Sequence, residues 1–359
     1  MTTPITPPPM SLLAELTHRC PLACPYCSNP VELERKDQEL TTQEWKRVFD
    51  QAAEMGVLQV HFSGGEPMAR PDLMELIAYA RQLNLYTNLI TSGVMINDKT
   101  MKALDVSGLD HIQLSFQDVD VDEADRLSGY KNVQPRKLKA AHLIKNAEIP
   151  LTLNFVLQKN NIDRMPEMFA LARHLGAQRI EMAHTQYYGW ALKNRLALLP
   201  TPQQLERANA YVATESDKGG LTIDYVTPDY YADRPKPCMG GWGQRFVNIA
   251  PSGRVLPCHA AETIPDMTFD TVRERSLHDI WFHGESFNRF RGTDWMPEPC
   301  ASCDHKKTDW GGCRCQALAL TGRAETTDPI CSLSSLRHLV DTAINEAHAS
   351  TQYDFQYRR

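Results

Sequence analysis

Short β-like runs alternate with amphipathic stretches through the first half of the chain. Apolar runs of strand length occur at SLLAEL (11–16), LQVHFS (58–63), LYTNLIT (85–91), HIQLSF (111–116), LTLNFVL (151–157) and RIEMAH (179–184). Segments with helical period lie between them. TTQEWKRVFDQAAEMG (41–56) opens with Thr41 and Glu44 at capping-box spacing and closes at Gly56. PDLMELIAYARQLN (71–84) begins with Pro71, a residue suited to a first helical turn. PRKLKAAHLIKNAE (135–148) and MPEMFALARHLG (165–176) follow the same logic. The alternation predicts an α/β fold with parallel pairing. A doubly wound sheet and a partial α/β barrel both satisfy it. In either, chemistry gathers at the C-terminal ends of the strands. That rim would carry Cys20–Cys27, Gly64-Gly65, Thr91-Ser92-Gly93, Ser115 and Gln117, Gln158, and His184 with Gln186.

A helix over 201–217 and a strand LTIDYV (221–226) continue the pattern, which then changes near 230. Beyond it Pro, Gly, Cys and Trp become frequent, and regular helix is scarce outside LHDIWFHGESFNRF (277–290). RFVNIAPSGRVLPC (245–258) predicts a hairpin turning at Pro251-Ser252-Gly253. The division expected is a flexible arm at 1–10, an α/β core at 11–230, a cysteine-bearing domain at 231–345 and a tail at 346–359 that is either loose or docked.

Composition narrows the class. At 42% hydrophobic and 23% charged, the chain of 359 residues reads as an ordinary soluble protein. A net charge of −6 gives no electrostatic footprint for nucleic acid. No apolar run approaches the roughly 18 residues of a membrane span. The start MTTPITPPPM lacks the basic and apolar regions of a signal peptide, so a cytoplasmic location is expected. There, ten cysteines point to metal rather than to disulfides. Three lie at 20–27 and seven between Cys238 and Cys331, with none in between.

Cys20-x3-Cys24-x2-Cys27 sits on a loop with Pro21 and Pro25. Zinc and cubane iron–sulfur sites usually take four protein ligands, and here there are three. The spacing alone fits zinc, buried thiols or a cubane with one iron open to another ligand. An open coordination position is what separates a reactive metal site from a structural one.

The string CxxxCxYC after the first strand, with SGGEP (63–67) after the second, resembles the radical S-adenosylmethionine (SAM) enzymes over roughly 11–190. The resemblance implies a partial (β/α)6 TIM-like barrel. It implies a 4Fe–4S cluster on Cys20, Cys24 and Cys27, with the amine and carboxylate of SAM on the remaining iron. Reductive cleavage would then give methionine and a 5′-deoxyadenosyl radical. Tyr26 is placed near the adenine, and Gly64, Gly65 and Glu66 at the methionyl end. Ser115 and Asn154 match positions that touch the ribose or carboxylate. Taken singly, Tyr26 also suits a packed loop aromatic and the glycine pair a turn. Two positions depart from the family pattern: TSG (91–93) stands where TNG is frequent, and SFQ (115–117) where S-x-D is frequent.

The later cysteines resemble the SPASM extension of peptide-modifying radical SAM enzymes. Its central string is C-x2-C-x5-C-x3-C, and here Asp309 occupies the third position. The resemblance implies two auxiliary iron–sulfur clusters, 4Fe–4S or 2Fe–2S. One would sit on Cys300, Cys303, Asp309 and Cys331, the other on Cys238, Cys258, Cys313 and Cys315. A zinc ribbon is the alternative for the region, and a solvated surface position the alternative for Asp309. His18, His61 and His259 read as packed or hydrogen-bonded.

Longer stretches (CPLACPYCSNP, FSGGEP, AHTQYYGWA, PDYYADRPKPCMGGWGQRF and SGRVLPCHAAE) are similar to the branch of this family acting in pyrroloquinoline quinone (PQQ) biosynthesis. That resemblance implies a precursor-peptide substrate, PqqA, a peptide carrier protein, PqqD, and a reductant such as flavodoxin. The bond formed would join a glutamate side-chain carbon to a tyrosine ring. His184, Tyr187 and Tyr188 are candidates for a general base. The alternatives are another SPASM maturase, thioether-forming or sulfatase-maturing, and a metal-bearing scaffold without catalysis.

Overall fold

The computed structural model describes residues 6–350 and 354–358. Strands and helices alternate as β1 (Ser11–Glu15), α1 (Thr42–Glu54), β2 (Gln59–Ser63), α2 (Leu73–Gln82), β3 (Tyr86–Thr91), α3 (Asp98–Val106) and β4 (His111–Phe116). Then come α4 (Val121–Ser128), α5 (Val133–Asn146), β5 (Leu151–Leu157), α6 (Met165–Leu175) and β6 (Arg179–His184). Two short helices, α7 (Gly189–Lys193) and α8 (Arg195–Leu198), lead to α9 (Pro202–Lys218) and β7 (Thr222–Val226). The remainder holds β8 (Phe246–Ile249), β9 (Val255–Leu256), α10 (Leu277–His283), α11 (Glu285–Asn288), α12 (Arg314–Thr321) and α13 (His338–Ala349).

Among the described residues, nine strands form one sheet in the order β7-β6-β5-β4-β3-β2-β1-β8-β9, in which the β8–β9 pair is antiparallel and the other neighbours are parallel. β1 to β6 are consecutive parallel neighbours, and the sheet stays open, as the partial-barrel expectation requires. Alternation sets the faces. In β4, Ile112, Leu114 and Phe116 are buried in the core, whereas Gln113 and Ser115 reach the concave side. On the outside, α1 buries Trp45, Val48, Phe49 and Ala52 at helical spacing. Its start is the capping box read from the sequence: Thr41 N donates to Glu44 at 2.7 Å, and Glu44 N to Thr41 Oγ1 at 3.2 Å.

A polar row crosses the sheet below the strand tips. His61 Nδ1 meets Asn88 Nδ2 at 2.9 Å, Asn88 Oδ1 meets His111 Nδ1 at 2.8 Å, and His111 Nε2 meets Thr152 Oγ1 at 2.9 Å. Burial lowers the pKa of both histidines, and their ring nitrogens are engaged in this row as hydrogen-bonding spacers.

Several expectations are corrected. Pro71 precedes the N-cap, Asp72, and does not enter the first turn of α2. Helix α5 starts two residues before Pro135, because the Asp125 carboxylate accepts the backbone N–H groups of Asn132 and Val133 at 2.7 and 2.9 Å. The 250s hairpin forms, but β8 also pairs with β1, so the main sheet runs across position 230. Helices α12 and α13 lie in the stretch read as poor in helix, and α13 crosses position 345. The arm is held where it is described: Trp281 Nε1 donates to Pro7 O at 3.0 Å, and Met10 N to Arg245 O at 2.8 Å. Its residues 1–5 lie outside the described residues. The tail docks: Gln356 bonds to Asn194, the residue before α8, and Arg358 bonds to the first cysteine loop.

Candidate active site and metal centres

The C-terminal ends of the strands open into a cavity of about 500 Å³, within the usual range for ligand pockets. Cys20, Cys24, Tyr26, Cys27, Gly64, Gly65, Ser115 and Asn154 all line it. Ser115 and Asn154 are register partners on β4 and β5, which is why they arrive side by side.

Glu66 is the exception. It is fully buried, and both its carboxylate oxygens are taken by the protein. One accepts Met68 N at 3.1 Å and Thr91 Oγ1 at 2.7 Å; the other accepts Ser92 N at 2.9 Å and Ser92 Oγ at 2.5 Å. Glu66 therefore shapes the β3 tip and is not a free partner for an ammonium group. Ser92 in TSG is the residue it orients. The glycines answer a backbone demand. A Cβ on Gly64, at φ +123°, would lie 2.3 Å from Thr17 O, and one on Gly65 would lie 2.4 Å from Arg19 O. The SGGEP turn thus packs on the segment between β1 and the cysteine loop.

Burial raises the Cys20 thiol to about 11 and the Cys24 thiol to about 12, and it raises Cys27 as well. Three thiols that resist ionisation alone, facing one cavity, are a donor set that a cationic cluster would stabilise as thiolates. Gln117 Nε2 donates to Cys24 Sγ at 3.7 Å, a contact the carboxylate of an S-x-D tip could not make. The Gln117 side-chain oxygen Oε1 and His184 Nδ1 are buried on this cavity wall without hydrogen-bond partners among the described residues. Those orphaned atoms suit a polar ligand such as SAM. Tyr26 also fits: burial holds its phenol well above its usual pKa, in a neutral form beside Cys24.

Sequence reasoning missed Lys137. It is fully buried, and its ammonium donates to the carbonyls of Ser92, at 2.8 Å, and Ser115. Burial lowers its pKa to about 8, opposed by Cys24 and Glu66. The signal was available, since Lys137, Ala140, Ala141 and Ile144 share one helical face.

The later cysteines separate into the two expected groups. Cys238, Cys258, Cys313 and Cys315 share side-chain hydrogen bonds that lower Cys258 and Cys313 and raise Cys238 and Cys315. Cys300, Cys303, Asp309 and Cys331 line one small cavity. Two buried charges stand between the groups. Asp328 accepts Cys313 N at 2.9 Å and also lines the second cavity; burial raises its pKa to about 7. The Arg314 guanidinium donates to the carbonyls of Gly311, Ala324 and Thr326. Among the described residues, no three Cys, His, Asp or Glu side chains converge as a single bound ion requires. A cluster spreads its ligands over separate irons, which both groups of four can supply.

Of the general-base candidates, Tyr187 packs with Leu198, Leu199 and Tyr230 and does not line the cavity. His184 lines it but is lowered to about 3 by burial. Tyr188 lines it and hydrogen-bonds His259 across the wall toward Cys258. His18 Nδ1 accepts Glu34 N at 3.0 Å, so all three histidines set aside as non-ligands have hydrogen-bonding partners. No helix among the described residues is long and apolar enough to cross a membrane.

Family comparisons agree with this arrangement. The radical SAM superfamily matches residues 14–172, and the SPASM iron–sulfur cluster-binding domain matches residues 238–304. The class is therefore a radical SAM enzyme, using SAM and a 4Fe–4S cluster, with a further iron–sulfur domain. Solved structures share the fold. Streptococcus suis SuiB bound to S-adenosylmethionine has a TM-score of 0.75 at 22% identity, over 90% of this chain and 77% of that one. The protein anSMEcpe with bound AdoMet has a TM-score of 0.66 at 17% identity, over 96% and 100%. Sequence relatives are much closer. The PqqA peptide cyclase of Gluconobacter oxydans is 65% identical over 98% of both chains. That of Xanthomonas axonopodis pv. citri is 57% identical over 99% of this chain and 96% of its own. This chain belongs to the PqqA peptide cyclase family.

Proposed function

We propose that the enzyme joins the γ-carbon of a glutamate to a ring carbon of a tyrosine in the precursor peptide PqqA, a step of PQQ formation. PqqD would present the peptide, and a flavodoxin-type donor would supply electrons. The observation that carries the reading is the convergence of Cys20, Cys24 and Cys27 with the polar strand tips on one cavity. Family membership supports the substrate class.

Cys20, Cys24 and Cys27 hold the SAM-site cluster in this reading. When bound there, the cluster and SAM supply a 5′-deoxyadenosyl radical as hydrogen abstractor. Tyr26 packs beside the adenine, Ser115 and Asn154 meet polar groups of SAM, and Gly64-Gly65 let the ligand lie close to the backbone. Glu66 acts indirectly, by fixing Ser92. With one hydrogen atom removed from the glutamate γ-carbon to give 5′-deoxyadenosine, the carbon radical would add to the tyrosine ring; the ring proton would leave to a base or solvent and the electron to an auxiliary cluster, restoring aromaticity. Cys238, Cys258, Cys313 and Cys315 would hold one auxiliary cluster; Cys300, Cys303, Asp309 and Cys331 would hold the other. The core spans 11–230 and the auxiliary domain 231–345 in this scheme, with β8 and β9 joining them through the sheet.

The test is an anoxic reaction of enzyme, SAM, reductant, PqqA and PqqD. Mass spectrometry should show the peptide losing two hydrogens, with 5′-deoxyadenosine formed. An unchanged peptide mass while 5′-deoxyadenosine accumulates would refute the cross-linking assignment.

A further inference from the structure

The C-terminal tail reaches back to the first cysteine loop. Gln356 N donates to Asn194 Oδ1 at 2.7 Å, and Asn194 Nδ2 donates to Gln356 O at 2.9 Å and to Pro25 O at 3.0 Å. One buried amide thus binds tail and loop together. Tyr357 OH donates to Arg126 O at 2.9 Å, and its ring edge lies against Gly129. Phe355 lies under the Arg126 guanidinium, 4.4 Å from it. These contacts deliver Arg358, which is 9% exposed, to the loop. Its guanidinium donates to Leu22 O at 2.6 Å and Cys20 O at 3.3 Å.

We infer that Arg358 is a positioning residue for the SAM-site cluster, and that residues 354–358 form a strap closing the back of the cysteine loop. The inference rests on the reading of Cys20, Cys24 and Cys27 as cluster ligands. Three observations converge on it. Carbonyls turned outward to Arg358 and Asn194 leave the loop's thiols facing the cavity. A buried carbonyl needs a partner, and the loop has no helix or strand of its own to provide one. A buried cation bonded to the Cys20 carbonyl also offsets the negative charge of a thiolate-ligated cluster.

The consequence is specific. Removing the strap should loosen the first cluster and leave the auxiliary clusters alone. Hydrogen bonding and charge can be separated, because lysine keeps the charge but not the planar guanidinium whose one terminal nitrogen reaches both carbonyls. Iron release to a chelator under anoxia reads the first effect. Arg358→Gln, and a chain ending at Asp354, should release the iron that Cys24→Ala removes from the intact enzyme at least about tenfold faster. The remaining iron and the circular dichroism spectrum should match the parent. The midpoint potential of the first cluster should fall in Arg358→Gln and hold in Arg358→Lys. Unchanged release and potential in both the Gln variant and the shortened chain would overturn the strap. If Cys24→Ala removes no iron from the intact chain, the ligand reading fails and the strap falls with it. Equal loss from all clusters would overturn it too, by showing a general effect on folding.

Discussion

The two cysteine regions differ in number of donors and in what surrounds them. At the first, three thiols on a short loop face a cavity of about 500 Å³ whose wall carries orphaned polar atoms. At the second, two groups of four candidate donors gather, with buried Asp328 and Arg314 beside them. The contrast teaches that one kind of ligand serves opposite ends here. A closed donor set on a loop-rich scaffold contributes folding energy and can carry electrons. An open set on a rigid parallel sheet leaves room for a reactant. The sheet supplies that rigidity: six consecutive parallel strands place their tips around the loop.

The contrast breaks most sharply on single cysteines. Cys24→Ala should abolish 5′-deoxyadenosine formation while iron in the auxiliary region persists, measured by chromatography and iron analysis. Asp309→Ala should do nearly the reverse. The auxiliary spectroscopic signature should change and cross-linked peptide should be lost, while some uncoupled SAM cleavage survives. Glu66→Gln should have a smaller effect. It disturbs a saturated buried carboxylate at a cost of roughly 1–3 kcal/mol, about 5- to 150-fold in SAM affinity, readable by equilibrium binding. The smallest effect concerns the joint between the regions. Arg273, beyond the core, donates to Glu44 of α1 at 2.8 Å and holds its carboxyl near 2, against an ordinary 4.5. A lowered folded-state pKa stabilises above the unfolded value and loses that contribution as pH falls from 4.5 toward about 2. The stability gap between parent and Glu44→Gln, measured by urea unfolding, should shrink over that window.

Much of this was legible in the chain. The six core strands and the capping box at Thr41 follow from local pattern, which is what periodicity reports. The cysteine sets follow from spacing together with the family resemblance. What stayed hidden depends on long-range partners. Glu66 looked like a ligand because its motif lies at the rim; only the fold shows Thr91 and Ser92 taking its oxygens. The early start of α5 depends on Asp125, seven and eight residues upstream, a cap that helical periodicity does not report. Arg358 meets Cys20 across nearly the full length of the chain, so no sequence pattern could announce the contact.

In the proposed function, SAM completes a cluster held by Cys20, Cys24 and Cys27. Hyperfine spectroscopy of the reduced enzyme with SAM labelled with ¹⁵N at its amino group tests it most directly. A nitrogen coupling to one iron–sulfur cluster is expected, kept in Asp309→Ala and lost in Cys24→Ala. A coupling that survives Cys24→Ala, or none in the intact enzyme with SAM bound, would contradict it.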